Sequence, residues 1–231
     1  MVMSLAQLVI DDPLSDYMTY IHRQQLSKYI IMDNGANEGA AISNTVLAQR
    51  AKLVDAHEVV LPDSLGNYKE TLRLASAFIR YYASSNINYM GVVHGSTIQQ
   101  MQTAIDMYAT QPLVKTLGLP RMYVSRIDRA VRIDLANWIK ETYKERFEIH
   151  LLGASASWIQ EPYYANKYAG HIRSIDTSLP YNYAFAGVQI NDTKRIIDRT
   201  EDYFTRTHVQ SALTCIAYNE EVYRSWCNGT R

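Results

Sequence analysis

The apolar positions of this chain fall in short runs that stop at glycine, histidine or a carboxylate. Each run is followed by a stretch whose apolar residues recur every three or four positions. Such an alternation predicts buried strands and amphipathic helices in turn. Leu5–Ile10 stops at Asp11-Asp12-Pro13 and precedes a helix over Tyr17–Leu26. Lys28–Met32 stops at Asp33-Asn34-Gly35, after which Val46, Leu47, Arg50, Ala51 and Val54 take helical spacing. Glu58–Leu61 stops at Pro62-Asp63-Ser64 ahead of the amphipathic stretch Tyr68–Tyr82, and Tyr89–Val93 stops at His94-Gly95-Ser96 ahead of Ile98–Tyr108. The period, about thirty residues, is that of a βα unit.

The pattern continues with less contrast. Leu113–Leu117 predicts a fifth strand ending in Gly118-Leu119-Pro120-Arg121, with Ile127, Val131, Leu135, Trp138 and Ile139 on one face of the helix behind it. Ile149–Leu152 ends at Gly153-Ala154-Ser155 and Ile172–Ile175 ends at Asp176, and the segment between them is long enough for a crossover helix. Ala184–Ile190 supplies an eighth strand and Thr193–Tyr203 a last barrel helix. Eight strands alternating with helices predict an α/β fold, a compact (β/α)8 TIM barrel forming a single domain over 1–208, with a Tyr-rich helical tail over 209–231 packed on it.

Composition narrows the class. At 231 residues, with 47% apolar and 20% charged residues, the chain can bury a substantial core. No apolar run approaches the roughly 20 residues that cross a bilayer, and Met1–Ile10 lacks the pattern of a signal peptide, so a soluble cytoplasmic protein with no membrane partner is expected. The 23 Lys and Arg balance 23 Asp and Glu, so any nucleic acid would have to be met by a local patch. Arg126, Arg129 and Arg132, at three-residue spacing opposite the fifth helix's apolar stripe, with Arg121 just upstream, are the candidate patch; a solvated face paired with Asp128 and Asp134 is the alternative. The 18 tyrosines suit a stacking surface, a core rim or an interface between copies, which leaves a homo-oligomer open.

In a closed barrel the strand ends meet at one face, where barrel enzymes do their chemistry. Asp33, Asp63, His94, Gly95, Gly118, Gly153 and Asp176 would rim it, and carboxylates gathered around a pocket need a substrate or metal to use them. Each aspartate also stands where a helix N-cap stands.

At these residues the sequence resembles the guanine transglycosylases, the superfamily of the queuine and archaeosine tRNA-ribosyltransferases, and within it the phage and bacterial branch that inserts 7-deazaguanines into DNA. The carrying segments are MDNGANEG (Met32–Gly39), VVLPDSLGN (Val59–Asn67), MGVVHGST (Met90–Thr97), GLPR (Gly118–Arg121), IHLLGAS (Ile149–Ser155) and HIRSIDTS (His171–Ser178), in the family's order. The resemblance implies Asp176 as the nucleophile on the sugar C1′ and Asp33 as general acid/base. It implies Asp63 as acceptor for the amino edge of guanine, and His94-Gly95 at the base carbonyl, where the family usually has Gln-Gly. Gly153-Ala154 would leave room beside the heterocycle. Displacing a base from C1′ needs a carboxylate on one face and an acid on the leaving side, as in retaining glycoside chemistry.

The family's tRNA enzymes carry a C-terminal zinc site of three cysteines and a histidine. This chain has two cysteines, Cys215 and Cys227, so no zinc subdomain is expected, and the chemistry calls for no cofactor. The expected activity is exchange of guanine for a 7-deazaguanine (preQ0-type) base in DNA. Exchange on tRNA or a nucleoside, and an inactive barrel serving as a nucleic-acid-binding subunit, are the alternatives.

Overall fold

The computed structural model describes residues 1–10, 12, 15–39, 42–191, 196–197 and 210–230. Its strands are β1 (Val2–Leu5), β2 (Ile30–Asp33), β3 (Glu58–Val60), β4 (Asn88–Val92), β5 (Val114–Pro120), β6 (Glu148–Leu152) and β7 (Ile172–Ile175). The sheet order is the chain order, β1-β2-β3-β4-β5-β6-β7. The expected closed eight-stranded barrel is corrected by this order: among the described residues the sheet has seven strands, and it begins at β1 and ends at β7 with no pairing between them.

The missing strand has a physical explanation. Ala184–Ile190 does not extend; it finishes helix α8 (Leu179–Phe185) and turns, with Gly187 at φ +70° and the Val188 amide donating to the Tyr183 carbonyl at 2.9 Å. A glycine in the left-handed region is a common helix stop. The apolar residues that mimicked a strand bury themselves elsewhere, Ala184 against Ala212 and Ile216, and Ile190 in a cluster with Tyr223 and Trp226. A short apolar run cannot by itself distinguish a buried strand from a buried helix end. The expected helix Thr193–Tyr203 lies largely outside the described residues.

Contacts divide the chain into two compact units, Met1–Leu119 with Glu145–Glu148, and Pro120–Lys144 with Ile149–Arg231. In the first unit β1 to β5 are parallel neighbours. β1 starts earlier than the expected Leu5–Ile10, and Ala6–Leu8 forms a 3-10 turn instead. β2 and β3 read as continuous apolar runs because parallel strands are covered on both faces; Ile30, Ile31, Met32, Val59 and Val60 are all buried. Helices α1 (Asp16–Gln25), α2 (Asn44–Leu53), α3 (Tyr68–Tyr82) and α4 (Ile98–Ala109) follow β1 to β4. Their first turns are capped by the side chains of Ser15, Ser43, Asn67 and Thr97.

The second unit holds β6 and β7, parallel to each other, with α5 (Met122–Arg126), α6 (Val131–Tyr143), α7 (Glu161–Tyr168), α8 and α9 (Gln210–Cys227). The single fifth helix expected from the apolar stripe is two, because Asp128 Oδ1 accepts from the Ala130 amide at 2.8 Å and turns the chain between α5 and α6. α9 is fastened through Asn219, which is fully buried. Its Oδ1 accepts from the Ile190 amide at 2.9 Å, and its Nδ2 donates to the carbonyls of Val188 at 3.0 Å and Pro180 at 3.1 Å. Asn219→Ala strands the buried Ile190 amide and removes a donor from the Val188 and Pro180 carbonyls, and is expected to destabilise the fold by about 3 kcal/mol. A urea midpoint within error of the parent would contradict that.

Candidate functional site

In each unit the chemistry-bearing residues gather where parallel strands end. In the first unit the C-terminal ends of β2, β3 and β4 are tied by one hydrogen-bonded set. Asn34 Nδ2 donates to the Leu61 carbonyl and to Asp63 Oδ1, both at 2.7 Å, and Asn34 Oδ1 accepts from the Ala36 amide at 2.8 Å. Asp63 Oδ2 pairs with His94 Nε2 at 2.7 Å, while His94 Nδ1 faces the Gly66 amide at 3.3 Å. A backbone N–H can only donate, so Nδ1 accepts and the proton sits on Nε2, directed at the carboxylate.

This set changes two of the sequence-based assignments. His94 is 0% exposed with both ring nitrogens engaged inside the protein, and the Asp63 side chain is 6% exposed with a neighbour on each oxygen. The placement does not offer His94 to a base carbonyl, and it makes Asp63 first an anchor of three strand ends. Gly95 is a packing requirement: a Cβ there would come 2.9 Å from the Met101 backbone nitrogen, where α4 closes on β4. Asp33 ends β2 and is half-buried. Gly118 lies within β5, in register with Val92, instead of at a strand end.

In the second unit Asp176 follows β7 and Gly153 follows β6. Asp176 Oδ1 accepts from His150 Nε2 at 3.0 Å and from the Gly153 amide at 2.8 Å. His150 is buried, and its Nδ1 meets Ser174 Oγ at 2.7 Å. Gly153 presents its amide from the left-handed region, φ +70°, and a Cβ there would meet Arg121 Cδ at 2.9 Å. Behind it Arg132 donates to the Gly153 carbonyl at 2.9 Å and to the Leu152 carbonyl at 3.3 Å, and pairs through Nε at 2.8 Å and through Nη2 with both oxygens of Glu161. Arg132 and Glu161 are 2% and 0% exposed. Arg132 is thus corrected from a solvent-facing phosphate contact to a buried strut under the turn that holds Asp176. Arg126 and Arg129 are exposed, Arg121 is half-buried, and Ala154 is buried in the cluster beneath α9.

Burial alone would raise the Asp176 pKa. Bonding and attraction from His150, the Gly153 amide and the Arg132 charge outweigh it, and the carboxyl is held below its ordinary value of 3.8. A depressed folded-state value means the stabilisation is fully present above the unfolded pKa and is lost as pH falls from 3.8 through the folded value. Between about pH 6 and about pH 2.5 the parent should therefore lose more stability than Asp176→Asn. Parallel stability curves in urea titrations would refute this.

The N-cap reading of the aspartates does not hold here. The caps of α2 and α3 are Ser43 and Asn67, and at the start of α8 it is Thr177 Oγ1 that accepts, from the Leu179 amide at 3.0 Å. No protein-family model matches this chain, and no curated protein matches it. Among the described residues no group of three or more His, Cys, Asp or Glu side chains is placed to hold a metal ion, and no helix is long and apolar enough to cross a membrane.

His150, Ser174, Asn34 and Glu161 were not singled out by the strand-end pattern. Period-two alternation carries a signal for two of them, since Ser174 and Asp176 lie on one side of β7 and His150 is in register with Ser174. Arg132 and Glu161, 29 residues apart, have no such local signal.

Proposed function

We propose that this chain is a guanine transglycosylase that exchanges a guanine of DNA for a 7-deazaguanine base through a covalent intermediate on Asp176. The observation that carries the reading is the state of that carboxylate. It is ionised at neutral pH, 32% exposed, free of any capping duty, and held on Oδ1 by His150 and Gly153 so that Oδ2 is left to react. A nucleophile in two-step glycosyl transfer needs that combination.

In the first step an Asp176 oxygen bonds to C1′ as the bond from C1′ to the base nitrogen breaks. The base takes the bonding pair and a proton from a general acid. In the second step the incoming base returns a proton to that group, bonds to C1′ through its nitrogen, and Asp176 leaves with the pair it brought. Two displacements retain the configuration. Asp63 and His94 frame the first unit's strand ends, and base contact by Asp63 would use lone pairs beyond the two already engaged.

Incubation with labelled guanine or labelled preQ0-type base, offered with duplex DNA, single-stranded DNA, tRNA and guanosine, tests the proposal. Label is expected to enter DNA in preference to the others. Incorporation into tRNA or nucleoside alone would reassign the substrate, and incorporation into none would sink the activity. The line Ser174–His150–Asp176 also has the membership of a hydrolytic triad, which gives a second reading with Ser174 as nucleophile. Ser174→Ala separates them: hydrolysis would vanish, whereas exchange would persist.

A further inference from the structure

Trp158, in the 3-10 turn Ala156–Trp158, and helix α7 carry aromatic rings in a row that the chemistry at Asp176 does not use. Trp158 and Tyr164 stack at 5.5 Å between ring centres and 29° between planes, and Tyr164 and Tyr168 stack at 6.0 Å and 8°. Arg129 lies over the Trp158 ring at 5.0 Å, and Lys167 Nζ lies over the Tyr168 ring at 5.3 Å and over the Tyr163 ring at 6.0 Å. Trp158 is buried at the inner end of the row, and Tyr168 is 58% exposed at the outer end. Among the described residues neither Arg129 nor Lys167 is in an ion pair, and the one carboxylate of α7, Glu161, is buried against Arg132.

We propose that this row is a stacking strip for unpaired nucleotides, with a base continuing the stack on Tyr168 and the flanking cations meeting phosphates. Rings already held against one another, Tyr164 and Tyr168 within 8° of parallel, present an aromatic face at low ordering cost. Aromatic faces between cations are what single-stranded nucleic acid binds, because every base has a π-face and every linkage a charge. A duplex hides its base faces, so it cannot use an exposed ring in this way without local opening. Helical spacing places Tyr164 and Tyr168 together, and Arg126, exposed at the end of α5, adds a further cation to the same unit. The inference rests on the nucleic-acid part of the proposed function and not on the exchange chemistry.

Fluorescence anisotropy with the full chain tests it, using a labelled oligo-dA of about 12 nucleotides, an abasic strand of the same length, and a duplex. The oligo-dA is expected to bind about tenfold tighter than the abasic strand. Tyr168→Ala should remove most of that difference, and Tyr168→Phe should keep it. Arg129→Gln with Lys167→Gln should lower the slope of log affinity against log salt by about 1.4. Equal affinity for the abasic strand, no effect of Tyr168→Ala, or duplex binding with the same dependence on Tyr168 would overturn the strip. Competition by poly-glutamate as effective as by oligo-dA would show a surface for acidic protein and overturn it too. Asp176→Asn should bind as the parent does; Tyr168-dependent binding without any exchange would leave the strip standing and sink only the enzymatic reading.

Discussion

Asp176→Asn is expected to lower base exchange by about a thousandfold or more while the protein stays folded, because an amide oxygen cannot form the glycosyl ester. The substitution is close to isosteric. Asn Oδ1 can still accept from His150 Nε2 and the Gly153 amide, so both hydrogen bonds seen on the carboxylate have a counterpart. Loss of activity together with loss of fold would therefore point away from a nucleophile and toward a structural carboxylate. The proposed covalent species offers a second measurement. Parent protein denatured during turnover on labelled DNA should retain label on the peptide containing Asp176, and the variant should not. Exchange in the variant at near-parental rate would end the mechanism.

The largest expected effect on stability belongs to Arg132. Arg132→Ala leaves Glu161, at 0% exposure, without its bidentate partner, and leaves the Leu152 and Gly153 carbonyls without a side-chain donor. Removing one member of a buried ion pair typically costs about 3–5 kcal/mol, since the stranded charge is neither hydrated nor compensated. Denaturant titration should show a cost in that range, and a change below about 1 kcal/mol would mean that Glu161 finds water or another partner. Arg132→Met with Glu161→Leu is expected to recover part of the loss. It removes the stranded carboxylate, but the Gly153 carbonyl still lacks the Arg132 donor, while the Leu152 carbonyl keeps the Arg121 amide at 2.9 Å, so recovery stays incomplete. Since Arg132 grips the peptide whose amide holds Asp176, activity should fall further than the folded fraction does.

The strand ends were legible in the sequence because a parallel strand covered on both faces is a continuous apolar run, and its first polar residue marks where it leaves the sheet. That logic found Asp33, the region of Asp63 and His94, Gly153 and Asp176. It failed at Ala184–Ile190, where an apolar run with a central glycine serves a helix end packed under α9 as well as it would serve a strand. Direction of side chains was not legible either. Strand-end position alone cannot say whether a histidine looks toward a ligand or, as His94 does, into a set of neighbours. Arg132 fell on the apparent polar stripe because three-residue spacing was extended through Arg126 and Arg129 as one helix. The Asp128 turn breaks that helix, and only Val131 onward shares the face on which Arg132 is buried.

The cluster under α9 has a consequence for biosynthesis. Ala154, Ala156, Leu179, Tyr183 and Ile190 have their apolar cover completed by Tyr223 and Trp226 from the last described helix. Translation delivers that cover after everything it protects. On the ribosome the segment around Asp176 will hold an open greasy patch until α9 has emerged from the exit tunnel, so a chain stalled before Tyr223 should recruit chaperones and leave Asp176 without its settled surroundings.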